Sequence, residues 1–437
     1  MKDTIIDSLI KREAERQNNE ICLIASENYT SKDVREAQGS ILTNKYAEGY
    51  PGKRYYGGCE VVDEIENEAI YRVNRLFGSK YANVQPHSGS QANQAVYAAL
   101  LKPGDRVLAM DLDSGAHITH VSKASYTSKI YKTAYYGLNE MDKIDLYDLR
   151  KKLNEFHPHL LVVGGSSYPR EINYARIREI VDLYNADKPK VVCGEDVDIE
   201  DRTIYPYQFE IPKCLIMVDM AHVAGLVAAG FHQNPVPYAD VVTSTTHKTL
   251  RGPRGGFILT NDEDIAKKID TAVFPRTQGG PLMHVIAGKA VCFREASTDD
   301  FKAYIGRLLA NRLIMQAVFE ERGFKLVAGG SDTHMLLLDL RSRNMSGKQA
   351  EDLLSSVGIV ANKNTIPNDG RPKSETSGLR LGTAAITTRG FQVEDSKKLA
   401  EVICDVLVLG DSITEEQKDI VKDWVSYMCK KYPLTTI

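Results

Sequence analysis

Asp240 to Thr260 reads DVVTSTTHKTLRGPRGGFILT: an apolar run, a polar turn that holds Lys248, and a second apolar run after a pair of glycines. Both runs are too short for helices and rich in β-branched or large apolar residues, so they read as buried strands. LLVVGG (Leu160 to Gly165) and LIMVDMAH (Leu215 to His222) repeat the pattern, and helical stretches such as YARIREIVDLYNA separate them. Strands without clean alternation, interleaved with helices, indicate a mostly parallel sheet covered on both faces. The large domain is therefore expected to be α/β.

On the N-terminal side, Val61 to Phe77 places apolar residues at helical spacing and stops at Gly78, as a helix C-terminus does. Asn83-Val84-Gln85-Pro86 leads into His87-Ser88-Gly89-Ser90, then the helix-forming QANQAVYAALL, a Lys102-Pro103-Gly104-Asp105 turn and the short strand RVLAMDL. Beyond about residue 288 a long helical region runs into HMLLLDLR, GIVANKN and GLRLGTAAITT, which indicates a smaller α+β C-terminal domain. The expected division is an N-terminal arm over 1–45, a large α/β domain over 46–288 and a C-terminal small domain over 289–437. From about 187 to 214 an insertion interrupts a helix-to-strand connection. Such connections return to the sheet edge opposite the ligand-binding one, so the insertion is expected to lie away from the chemistry. Its acidic run, Glu195 to Asp201, lacks the spacing and internal glycine of an EF-hand and is expected to be a solvated loop.

The 437 residues are 43% hydrophobic and 26% charged, enough for a sizeable core and more than one domain. Lysine and arginine number 55 against 58 acids, a formal charge of −3, so no strong field gathers nucleic acid or anionic lipid. The expected partners are small molecules and other subunits, with no nucleic acid and no membrane. Cys22, Cys59, Cys193, Cys214, Cys292, Cys404 and Cys429 are scattered without a C-x-x-C, which argues against a disulfide framework and a zinc site. Reduced thiols are expected. The N-terminal MKDTIIDSLIKREAERQNNE has no apolar h-region, and no stretch approaches the roughly 18 apolar residues that cross a bilayer, so a cytoplasmic location is expected.

Lys248 follows an apolar strand, and Arg251 and Arg254 close by are expected to disfavour its ammonium form, leaving an amine able to form a Schiff base. Asp219 ends the preceding strand, where parallel sheets bind ligands. A Schiff-base lysine paired with an acid for a pyridinium nitrogen is the constellation of pyridoxal phosphate chemistry. The phosphate then needs a cradle. Ser88-Gly89-Ser90-Gln91 opening a helix offers successive N–H groups, hydroxyls and the positive end of a dipole. Neither G-x-G-x-x-G after a strand nor G-x-x-x-x-G-K-[ST] occurs, which sets nucleotide binding aside. His117 and His120, an H-x-x-H, and His157-Pro158-His159 show no further ligand cluster in the sequence, so no metal site is expected.

At this point the chain resembles the serine hydroxymethyltransferase family almost end to end. The resemblance is carried by LIASENYTS (Leu23 to Ser31), TNKYAEGYPGKRYYGGCE (Thr43 to Glu60), NVQPHSGSQAN (Asn83 to Asn93), VDMAHVAGLVAAG (Val218 to Gly230), TSTTHKTLRGPRGG (Thr243 to Gly256), QGGPLMHVIAGKA (Gln278 to Ala290) and GLRLGTAAITTRG (Gly378 to Gly390). It implies a fold-type-I pyridoxal phosphate transferase with a mostly parallel, seven-stranded type of sheet, working as a homodimer or homotetramer whose active sites are shared between subunits. Carried over, Lys248 is the Schiff-base lysine, Asp219 the partner of the pyridine nitrogen and His222 a neighbour of the cofactor's phenolic oxygen. His117 resembles the imidazole stacked on the ring, and Ser88, Gly89 and Ser90 match the phosphate cradle, with Gly279 and Gly280 reaching in from the other subunit. Ser166, Thr245 and His247 fall beside the cofactor. Arg380 matches the arginine that grips the amino-acid carboxylate, a task suited to a bidentate fork. Ser26, Tyr46 and Tyr56 would shape that pocket, Glu48 matches the acid between substrate hydroxyl and folate, and Asn364 a folate-binding asparagine.

The implied reaction is reversible transfer of the hydroxymethyl group of L-serine to tetrahydrofolate, giving glycine and methylenetetrahydrofolate. The family pattern resembles GGHLTHG where this chain has Ser114-Gly115-Ala116-His117-Ile118-Thr119-His120-Val121, so Ala116 and Val121 replace glycines in a loop near folate. Added Cβ atoms there could reshape the folate slot. That motivates an alternative acceptor: a folate-independent aldolase or transaldolase, or a hydroxymethyltransferase for an α-methylated amino acid. A catalytically silent scaffold is the alternative from another class, and the joint presence of Lys248, Asp219, Glu48 and Arg380 weighs against it.

Overall fold

The computed structural model describes residues 2–188, 191–197 and 204–434. Seven strands form the central sheet: β1 (Tyr81–Asn83), β2 (Arg106–Met110), β3 (Lys132–Tyr136), β4 (Leu160–Val163), β5 (Leu215–Asp219), β6 (Val241–Thr245) and β7 (Gly256–Thr260). Their order across the sheet is β1-β7-β6-β5-β4-β2-β3. β3, β2, β4, β5 and β6 are mutually parallel, and β7 alone runs against its neighbours β6 and β1. Leu160 to Val163, Val241 to Thr245 and Gly256 to Thr260 are buried at every position, as strands covered on both faces are.

The helices that position the site have readable causes. α1 (Glu60–Phe77) buries Val62, Glu66, Ala69, Val73 and Phe77 at helical spacing and ends at Gly78, whose φ of 73° is the left-handed cap that a Cβ would strain. α2 (Gly89–Leu100) starts where Ser88 Oγ accepts the Gln91 N–H at 3.2 Å. α3 (Met283–Ala296) lies against α1, and the 23-residue α4 (Asp299–Glu321) follows it.

Past α4 a four-stranded sheet in the order β8-β9-β11-β10 is built from β8 (Lys325–Leu326), β9 (Met335–Asp339), β10 (Asn362–Asn364) and β11 (Gly378–Gly382), all antiparallel. Apolar side chains collect into separate cores, one around Leu161, Val218, Phe257 and Phe293, another around Leu336, Leu338, Leu379 and Ile403. The N-terminal segment belongs structurally to the second: Ile21 and Cys22 pair in parallel with Ile359 and Val360, and Ile21 and Leu23 are fully buried there. The Gly382 N–H donates to Leu23 O at 2.7 Å, and a Cβ on Gly382 would stand 2.4 Å from Ala25 Cα. That close approach carries Ser26 over the edge of the large sheet.

The insertion is a regular hairpin rather than a loop. Val191–Val197 and Ile204–Glu210 pair antiparallel, Val191 opposite Glu210 and Val197 opposite Ile204, ahead of the N-terminal end of β5. The β-branched and aromatic content of VVCGEDV and IYPYQFE is what strands favour. Residues 198–203, which hold the end of the acidic run, lie outside the described residues.

Candidate active site

β4, β5 and β6 end side by side at one edge of the sheet, and a cavity of about 340 Å³ opens there. Ser26, Ser88, Gly89, Ser90, His117, Ser166, Asp219, His222, Thr245, His247, Lys248 and Arg380, all singled out from sequence, line it together. They come from the N-terminal segment, the start of α2, the loop after β2, three strand ends and β11. Such convergence at the carboxyl edge of a parallel sheet is where α/β folds bind ligands.

Asp219 is fixed from both sides. Its Oδ2 accepts from Asn93 Nδ2 at 2.9 Å and from His120 Nε2 at 3.1 Å, and Oδ1 accepts the Ala221 N–H at 3.1 Å. His120 Nδ1 accepts the His117 N–H at 3.4 Å, which leaves the proton on Nε2 for Asp219. Burial alone would raise the Asp219 carboxyl, but the hydrogen bonds from His120 and Asn93 hold it well below the usual carboxylate range. It is an anion at any physiological pH.

Lys248 is 8% exposed. Burial, helped by the positive charges of Arg380 and Arg254 and opposed by Asp219, brings its amine down to about 8. At pH 7.5 about a quarter of it is then free amine, against about one part in a thousand for a lysine at 10.5. Arg254 acts as expected; Arg251 does not. The Arg251 guanidinium stacks 4.2 Å from the Tyr304 ring and 5.4 Å from Phe301, where a cation–π contact turns it away, and Arg380 from the other sheet supplies the second charge.

Arg380 donates to Ser166 O at 2.8 Å and to Asn362 Oδ1 at 3.3 Å, and burial brings it to about 10, still a cation at neutral pH. His117 falls to about 4 and His247 to about 3, each through burial first, and His222, stacked on His334 with centroids 5.6 Å apart, falls well below its ordinary value for the same reason. These imidazoles are neutral donors and acceptors at pH 7.

Against known proteins, the family model described as serine hydroxymethyltransferase matches residues 1–188 and 209–403. A serine hydroxymethyltransferase 2 of Cupriavidus pinatubonensis is 48% identical over 99% of this chain and 96% of its own length. A serine hydroxymethyltransferase of Halorhodospira halophila is 49% identical over 99% and 97%, and a serine hydroxymethyltransferase 2 of Burkholderia pseudomallei 50% over 99% and 96%. The chain belongs to the serine hydroxymethyltransferase family. The break in the family match falls on the hairpin insertion.

Serine hydroxymethyltransferases are fold-type-I transferases that use pyridoxal phosphate, with tetrahydrofolate as cosubstrate. The residues present fit that cofactor. Thr245 Oγ1, His222 Nδ1 and His247 Nδ1 are buried polar atoms of the cavity without a protein partner, as groups kept for a ligand are. At the start of α2, Gly89 leaves no room for a Cβ, which would stand 2.6 Å from Thr245 Cγ2, and Ser88, Gly89 and Ser90 of this helix start line the cavity, as an anion cradle requires.

Tyr46, Glu48, Tyr56, Gly279 and Gly280 lie outside the cavity and gather into a second patch. Tyr46 Oη donates to Glu48 Oε1 at 3.3 Å, the Tyr46 and Tyr56 rings meet edge to face at 5.3 Å, and a Cβ on Gly279 would stand 3.2 Å from Glu48 Oε1. Tyr46 is 55% exposed and Tyr56 48%, with the Glu48 charge raising the Tyr56 phenol. Asn364 stands on β10 opposite Gly378, its Nδ2 on Thr365 O at 2.6 Å, and is not among the cavity's lining residues.

Sequence reasoning missed Asn93, His120, Glu27 and Asn362. Asn93 had a signal, since it lies on α2 one turn past the cradle; His120 had one in its spacing from His117. The H-x-x-H does have a third companion, contrary to expectation: ligating atoms of His117, His120 and Asp219 all lie within 4.8 Å of one another. The fold brings Asp219 there from 99 residues away, and its carboxylate already serves as acceptor for His120 and Asn93. Ala116 and Val121 point into the core, Ala116 among Leu108, Val163 and Tyr168 and Val121 among Tyr97, Leu101 and Tyr131, and neither lines the cavity.

Proposed function

We propose that this chain transfers the hydroxymethyl group of L-serine reversibly to tetrahydrofolate, giving glycine and methylenetetrahydrofolate. The observation that carries the reading is the convergence of Lys248, Asp219 and Arg380 on one cavity of the sheet edge. Bound pyridoxal phosphate supplies the electron sink for the bond broken at the amino acid's Cα. Lys248, with its lowered amine, is the covalent attachment point and a proton carrier near neutrality. Asp219 holds a proton at the ring nitrogen, and its anionic form is secured by His120 and Asn93. Neutral His117 would stack on the ring, and His222, Thr245, His247, Ser166, Ser88, Gly89 and Ser90 would provide its polar contacts. Arg380 grips the substrate carboxylate, Ser26 beside it, and so aligns the bond to be broken with the ring system.

Glu48 would hold or move the proton of the substrate hydroxyl or of folate, and Asn364 would bind folate. Exposed Tyr46 and Tyr56 and half-buried Glu48, with Gly279 and Gly280 packed on Tyr46 and Glu48, support a homodimer or dimer of dimers in which this patch completes the partner's site. The proposed division is an arm over 1–45, a cofactor domain over 46–288 and a C-terminal domain over 289–437. Two separate buried cores stand behind the last two, with Ile21 and Leu23 of the arm joining the C-terminal core and Phe293 to Leu308 packing with the cofactor-domain core. A cytoplasmic location belongs to the same proposal; among the described residues no helix is long and apolar enough to cross a membrane, and the described cysteines are free thiols. Burial of Ala116 and Val121 in the core supports tetrahydrofolate as the acceptor. Serine cleavage measured with and without tetrahydrofolate tests this: glycine and methylenetetrahydrofolate in equal amounts are expected, and a rate and product indifferent to folate would overturn the acceptor.

A further inference from the structure

The amine of Lys289 has no part in the steps above. Lys289 sits on α3, 1% exposed, and its Nζ donates to the carbonyls of Val84 (2.6 Å), Gly256 (2.8 Å) and Pro86 (3.0 Å). An ammonium has three donors, and here all three end on backbone carbonyls. A lysine is almost never this buried without a paired charge. Glu66 on α1 acts on it through space, while the Glu66 oxygens themselves take Arg54 at 2.6 Å and Gln85 at 2.8 Å.

The three carbonyls share one location. Val84 and Pro86 lie on the segment that leads into Ser88, and Gly256, which opens β7, is pressed against the same turn. A Cβ on Gly256 would stand 2.4 Å from Ser88 O and 3.1 Å from Gly89 N, and the Gly256 N–H donates to Pro86 O at 3.0 Å. Gly255 is close as well, with room for a Cβ only 2.5 Å from Lys289 Cε. The ammonium therefore ties together the two backbone segments beneath the start of α2. Its charge reaches the cavity: it helps to push His87 and His247 toward the neutral form, and His247 is a lining residue.

We propose that Lys289 is a positioning residue for the cofactor phosphate: its ammonium holds the floor of the Ser88-Gly89-Ser90 turn, and phosphate binding and protonation of this amine favour each other. The inference rests on the reading of that turn as the phosphate cradle. Burial brings the amine down to about 7, with Glu66 pulling the other way, so both forms are populated near neutrality. A neutral amine keeps two donors and a lone pair, so one of the three carbonyls loses its partner and the floor loosens. A phosphate dianion above favours the cation, and by linkage the cation favours the dianion. The titratable groups facing the amine are Glu66 from α1, His87 ahead of α2 and His247 after β6. Both histidines are lowered, by burial first, so neither takes up the proton.

The test titrates cofactor-free protein with benzyl phosphate, which has neither ring nitrogen nor aldehyde, at pH 8 in two buffers of different ionisation enthalpy. Wild type is expected to take up roughly half a proton or more per ligand bound. Lys289→Gln is expected to take up almost none and to bind at least about tenfold more weakly at pH 7, the gap closing by pH 9. Lys248→Ala, with its floor intact, is expected to keep most of the uptake; this arm decides the question even where Lys289→Gln fails to fold, since uptake lost with Lys248 would overturn the inference. Uptake unchanged in a folded Lys289→Gln protein overturns it too and leaves the cradle standing. Failure of wild type to bind benzyl phosphate at all removes the cradle and the inference together.

Discussion

Replacing Lys248 by methionine should stabilise the cofactor-free protein at neutral pH and do so less and less as the pH rises. The folded protein lowers this amine from 10.5 to about 8, and each unit is worth about 1.4 kcal/mol, so carrying the buried cation costs about 3 kcal/mol wherever both states are protonated. The sign follows from proton counts. Between pH 8 and 10.5 the unfolded chain holds the proton and the folded chain has released it, so stability rises with pH in that window and the full cost is felt below it. Methionine, similar in length and without charge, removes the cost. The gain at pH 7 should approach about 3 kcal/mol, roughly 3 °C in Tm for a chain of this size, and fade to nothing near pH 10.5. Thermal melts of both proteins, stripped of cofactor, across pH 6 to 10 read it. A methionine variant that is less stable at pH 7, or whose advantage does not shrink with pH, would refute the account of how burial tunes Lys248.

Three further outcomes are expected. Arg380→Lys keeps the charge and loses the fork, so kcat/KM for serine should fall roughly ten- to a hundredfold, mostly through KM, and unchanged steady-state constants would remove Arg380 from the carboxylate. Inactive Glu48→Gln and Lys248→Ala proteins, unfolded and refolded together in equal amounts, should regain about a quarter of wild-type activity, because half the dimers carry one intact site; no recovery would place Glu48 and Lys248 in one subunit's site. Arg389, 4% exposed, donates to Tyr432 O (2.8 Å), Glu20 O (2.8 Å), Gln17 O (3.1 Å) and Cys429 O (3.2 Å), joining the N-terminal helix to the C-terminal one. Arg389→Met should cost about 3 kcal/mol or more in urea unfolding, and a loss under about 1 kcal/mol would contradict that role.

The strands were legible because residues buried on both faces leave short apolar runs, and Lys248 and Asp219 were legible because they stand where such runs stop. The support of Asp219 was not. Asn93 and His120 act through contacts made 126 and 99 residues away in the chain; their places, one turn past the cradle and three residues after His117, mark them as candidates but do not say that their partner is Asp219. Arg251 misled for a related reason: nearness in sequence put its charge beside Lys248, while the aromatic rings of α4 draw it off. The insertion shows itself by disrupting a connection, but its hairpin rests on Val, Ile, Tyr and Phe residues interspersed with acids and a proline that break the simple alternation of a strand. Ala116 and Val121 looked like intrusions into a ligand slot; which way a Cβ points is settled by the fold, and these two point into the core.

The central claim is that one amine, Lys248, carries the cofactor. Borohydride reduction of the loaded protein followed by proteolysis and mass spectrometry measures this directly. The account predicts the reduced pyridoxal phosphate mass on the peptide containing Lys248, one per chain; the same mass on another lysine, or on none, would contradict it.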